Sequence, residues 1–173
     1  MDSIVMDSIV TDSIVIMEYD GEASNPDELA YPDGLYQYIY NMCFLHPINI
    51  CAGFYYGNTI GAIMGLTLFG TSVNYWRYPV LTSYRRIIDM IVAFTCVSYH
   101  IYLSFFTHNK LLCAGTIIIG SMMYPLSLYF VKNNYNNYGT LCHCLLHALV
   151  ILGACFIYRD YYLYQQCAIT DVG

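Results

Sequence analysis

Hydrophobic residues in this chain run in long blocks instead of alternating with polar ones at a short period. Apolar stretches cover roughly 47–72, 87–107, 111–131 and 141–158, separated by short polar clusters. A surface helix would show a polar face at every turn and a half-buried strand would alternate every second residue; these stretches do neither. The second and third are each about 31 Å long at 1.5 Å per residue, which matches the hydrocarbon core of a bilayer. The pattern predicts an all-α, polytopic membrane helix bundle of about four transmembrane helices, with the short 108–110 connection "HNK" making the middle two an antiparallel hairpin. A fifth crossing is the alternative. It arises if 35–73 divides at "GFYYGN", and it would reverse the side on which the N-terminus lies. Residues 35–46, "LYQYIYNMCFLH", are rich in tyrosine and are expected at the headgroup level.

Composition supports a membrane setting. The chain is 58% hydrophobic and only 10% charged, too little charge to solvate a globular surface. Nine of its twelve acids lie between Asp2 and Asp33, and from Leu35 to Tyr158 the only acid is Asp89. Three regions follow: an acidic segment 1–34 expected to be disordered, a transmembrane bundle 35–158, and a short tail 159–173. The first opens with a repeated unit, "MDSIV", "MDSIV", "TDSIV". Its period of five fits neither helix nor strand. A net charge of −6 with no basic patch excludes nucleic acid as a partner and leaves membrane lipids. Arg77, Arg85 and Arg86 cluster around the 73–86 connection. The positive-inside rule therefore predicts an integral membrane protein with 73–86 and 132–139 cytosolic and both termini non-cytosolic. The eight cysteines form no disulfide pattern, and most fall in apolar runs as small hydrophobes.

Within this frame a few residues stand out. Gly53, Gly57, Gly61 and Gly65 recur at a spacing of four in the first stretch. On one helix they would form a bare face for packing, within the chain or in a homo-oligomer. Asp89 is an intramembrane acid, which is costly unless it faces the bundle interior or reaches out to Arg85 or Arg86. It shares a helix face with Ala93, Cys96 and His100. His143 and His147 are one turn apart, the spacing that lets two imidazoles hold one metal ion from a helix, with Cys144 as a further donor. The alternative is that they bond to a neighbouring helix. Alternating topology brings Ser72, Asp89, His143 and His147 to one level near the cytosolic side, and His46 and His108 to the opposite side.

A serine closing one span, an aspartate opening the next and His-x-x-x-His in the last resemble the CREST membrane hydrolase superfamily, which includes alkaline ceramidases and the progestin/adipoQ receptors. "SVNYW" supplies Ser72, "RRIIDM" supplies Asp89, and "HCLLH" supplies His143 and His147. The resemblance implies a zinc ion held in part by His143 and His147. It also implies a zinc-bound water that attacks an amide, and catalytic roles for Asp89 and Ser72. Trp76 stands where the family has its first zinc-binding histidine, and the family has seven spans. Two functional classes follow: a zinc-dependent hydrolase of a lipid-like amide or ester, or a non-catalytic scaffold or small oligomer packed through the glycine ladder. A single intramembrane acid with no repeated polar stripe makes a poor channel.

Overall fold

The computed structural model describes residues 28–32 and 34–170, so the pentapeptide repeat and most of the acidic segment lie outside the described residues. It is all-helical: α1 (Tyr36–Cys43), α2 (His46–Tyr55), α3 (Thr59–Trp76), α4 (Tyr84–Ser104), α5 (Lys110–Lys132) and α6 (Asn136–Thr170). Among the described residues, the only strand-like pairing is an isolated bridge between Leu29 and Val80. Three helices, α4, α5 and α6, are long and apolar enough to cross a membrane.

The expected first span over 47–72 is not one helix. Gly57 adopts a φ of 72°, a left-handed conformation that favours glycine and ends the helix there. Asn58 then caps α3, its side chain accepting a hydrogen bond from the Gly61 amide at 2.8 Å. The chain folds back on itself. A Cβ added to Gly53 would lie 3.0 Å from the Ala62 backbone nitrogen, and one added to Gly65 would lie 3.2 Å from the Asn49 side chain. The glycine ladder is thus divided between two antiparallel helices. Gly53 and Gly65 close the α2–α3 hairpin, Gly57 makes its turn, and Gly61 accommodates the ring of Tyr158 from α6. Residue spacing cannot register a single positive φ, so the periodicity ran through the turn.

Residues 35–46, expected at the headgroup level, begin with α1, which buries Ile39 and Cys43 against Tyr31, Tyr75 and Trp76. Pro47, in the first turn of α2, has no amide to bond the Cys43 carbonyl, so the helical path breaks at 44–45 and resumes. Residues 28–31 lie at the arginine-bearing end, not opposite it. The Ala30 amide donates to Pro79 O at 2.8 Å and the Leu81 amide to Glu28 O at 3.0 Å. The chain descends through α1–α2 and returns through α3, which brings both segments to one end. Finally, α6 runs on to Thr170, so residues 159–170 continue the last helix.

At that same end Ser83 caps α4 by accepting from the Arg85 amide. This sets the helix start and puts Asp89 in its second turn. Arg85 donates to Asn74 O and Tyr78 O, and Arg86 to Leu81 O. Both arginines therefore tie down the loop after α3 instead of reaching Asp89.

Candidate functional site

A cavity of about 360 Å³ lies among α3, α4, α5 and α6, with His46 of α2 and the 30–31 segment completing its wall. Ser72, Asp89, His143 and His147 all line it, so the four residues singled out by sequence meet in one place. Most of the remaining wall is apolar and includes Leu68, Phe94, Val97, Leu146 and Val150.

Asp89 is buried and held from α3. Ser72 Oγ donates to its Oδ1 at 2.7 Å, and Thr71 Oγ1, whose single proton is shared between the Leu68 carbonyl at 3.1 Å and this oxygen, donates to it at 3.0 Å. Two hydroxyl donors take the place of an arginine partner, so the carboxylate stays within the cavity wall. Thr71 was not singled out from sequence, although its adjacency to Ser72 was a usable signal.

His143 is enclosed. Its Nδ1 lies 3.3 Å from the Tyr31 hydroxyl, which also bonds Ser127 Oγ. Ser127 in turn donates to Gly139 O at 2.7 Å. Because the Ser127 proton goes to a carbonyl, Tyr31 donates to Ser127, and His143 Nδ1–H donates to Tyr31. Burial pushes the Tyr31 hydroxyl up to about 12, partly offset by its Ser127 bond, which keeps it a neutral donor. The His143 ring packs edge-on against Trp76 at 4.6 Å between centroids, and against Tyr31 and Tyr124 at 5.9 Å each. Tyr31, one of twenty tyrosines and within the acidic segment, carried no distinguishing sequence signal.

His147 and His46 form the inner part of the row. Their ring centroids are 5.5 Å apart, and His147 is 5.4 Å from His143. His46 was expected on the opposite side of the bilayer. The α2–α3 hairpin corrects this by carrying α2 alongside α3, so His46 reaches the cavity beside Leu68. The five-crossing alternative, which breaks the chain at "GFYYGN", was the available signal.

The zinc ion implied by the family resemblance does not fit this donor set. Among the described residues, no three His, Cys, Asp or Glu side chains are grouped so as to hold a metal ion. Catalytic zinc takes three protein ligands. The expected further donor, Cys144, packs against the Tyr31–Trp76 cluster and does not line the cavity. At position 76, an indole covers His143 where the family would supply an imidazole. No family model matches the chain, and no curated protein or solved structure matches it either. What the cavity does must be read from its own geometry.

His100, buried on α4 with Asp89 and Cys96 as the shared face predicts, does not line the cavity. Its Nδ1 lies 2.6 Å from Cys96 O and its Nε2 lies 2.7 Å from the Tyr158 hydroxyl. His108 is exposed on the connection between α4 and α5.

Proposed function

We propose that this chain is an integral membrane protein that crosses the bilayer five times and binds a lipid-derived amphiphile in the 360 Å³ cavity. The crossings are the kinked 36–55 segment, α3, α4, α5 and α6. Positive-inside topology puts residues 28–32 and the arginine-bearing loop in the cytosol, with the far end of α6 on the opposite side. Large apolar residues such as Ile87, Ile91, Leu111 and Ile119 are exposed on α4 and α5, as a lipid-facing surface requires.

The observation that carries the reading is the convergence of Ser72, Asp89, His143 and His147 from three helices onto one otherwise apolar cavity. Buried polar groups in a bilayer protein are expensive and face a partner or a ligand. The volume lies at the lower end of small-molecule sites. Phe94, 75% exposed on the outside of α4, also lines the cavity, which gives an apolar ligand a route from the membrane.

The test is to extract and identify the lipids retained by the detergent-purified chain beside an Ala93→Phe variant, whose added ring fills the cavity. One defined amphiphile near equimolar in the wild type and absent from the variant supports the reading. Its absence from both, or its equal retention, would sink it.

Hydrolysis is the second reading. A carboxylate oriented by two hydroxyls, in the same cavity as two imidazoles, favours it. Ser72 donates directly to the carboxylate with no imidazole between them, so Asp89 is the better base and Ser72 orients it. Release of fatty acid from a ceramide-type amide, abolished in Asp89→Asn, is the outcome this reading requires. An oligomer built on the glycine face is less well supported, because Gly53, Gly61 and Gly65 all pack within the chain.

A further inference from the structure

Resting on the proposed amphiphile cavity, we infer that its inner end, between His46 and His147, is a binding site for the hydroxyl group of a lipophilic alcohol. Both nitrogens of His46 and Nε2 of His147 are buried without a hydrogen-bond partner. The two residues are only 2% and 8% exposed, and both line the cavity. The Asn49 side chain, one turn beyond His46 on α2, is a hydrogen-bonding neighbour of the His46 ring and does not line the cavity, so the orphans that face the cavity are those of His46 and His147. Buried donors and acceptors are nearly always satisfied, so several orphans together on a cavity wall mark a place where another molecule completes the bonding.

The kind of group follows from the donor and acceptor inventory. A neutral imidazole offers one N–H and one lone pair, so two neighbouring rings offer both functions. A hydroxyl both donates and accepts. A carboxylate only accepts and would share the cavity with Asp89; an ammonium only donates; a hydrocarbon does neither. Leu68, Leu146 and Val150 on the same cavity suit an alkyl or ring skeleton attached to the hydroxyl. The chain also shows the same pairing internally. His100 bonds the Tyr158 hydroxyl and His143 bonds the Tyr31 hydroxyl. Of the four buried histidines, only His46 and His147 lack a tyrosine hydroxyl, and the ligand supplies its equivalent.

The test measures binding of 1-dodecanol, dodecane and dodecanoate to the detergent-purified full chain. The wild type is expected to bind the alcohol at least about tenfold more tightly than either of the others. In the His46→Phe/His147→Phe variant, the alcohol falls to the level of the alkane while alkane binding persists. Equal binding of alcohol and alkane by the wild type overturns the inference but leaves the amphiphile cavity standing. If none of the three binds, both readings fail. Stoichiometric zinc on the wild type, lost in the double variant, would assign the rings to a metal and also overturn the inference. Since the alcohol-to-alkane comparison needs only the wild type, poor folding of the variant does not remove the test.

Discussion

Two pairs of side chains in this bundle bury imidazoles equally well and to opposite effect. At one, His100 on α4 accepts from the Tyr158 hydroxyl of α6 while its other nitrogen bonds Cys96 O. Tyr158 is fully buried and presses on Gly61, and Tyr99 nearby donates to the Asn58 side chain that caps α3. At the other, His46 and His147 sit edge to face on a cavity wall with three ring nitrogens unbonded. A fully satisfied network locks three helices together, whereas a half-satisfied one leaves bonding capacity for something that is not part of the chain.

Gly61 is the most sensitive position of the satisfied network. A Cβ there would lie 2.6 Å from the Tyr158 ring, so Gly61→Leu is expected to destabilise the protein by about 3 kcal/mol, the upper end of overpacking effects. A melting temperature unchanged in detergent would show that this contact is not part of the lock. Next in size, His100→Phe strands the Tyr158 hydroxyl and should lower stability by about 2 kcal/mol, with Tyr158→Phe introduced alongside recovering part of the loss. Failure of the second substitution to recover anything would mean that the pair is not coupled. Gly57→Ala forces a Cβ into a left-handed turn and should lose about 1 kcal/mol, whereas the same change at Gly70, with ordinary φ and open space around it, should not. Equal effects at the two glycines would count against the α2–α3 hairpin. The smallest effect is the sharpest test. His147→Phe removes an unsatisfied nitrogen, so the empty protein should be unchanged or up to about 1 kcal/mol more stable, opposite in sign to His100→Phe. Matching losses at both histidines would erase the distinction drawn between them.

Ser72, Asp89, His143 and His147 could be picked out in advance because each is a polar residue in an apolar run. Counting helical turns from the polar connections then gives their depth. The count failed for His46 because it assumed a straight path from 47 to 72. One left-handed residue at Gly57 reverses the chain, and Pro47 breaks the helix just before it. Trp76 was legible as the position where the resembling family carries a histidine. That its ring lies against His143, and that Tyr31 reaches the same imidazole from 112 residues away, depends on long-range packing.

By itself, the sequence determined that this is a helical chain of bilayer-length apolar segments, with Asp89, Cys96 and His100 on one buried face, because helical periodicity and charge scarcity are local properties. Only the tertiary structure decided which buried imidazoles are satisfied, that residues 28–31 join the arginine-bearing end, and that His46 rather than Cys144 stands beside His147. Those outcomes depend on where the chain turns and on hydrogen-bond partners far apart in sequence. Neither leaves a trace in the spacing of residues along one helix.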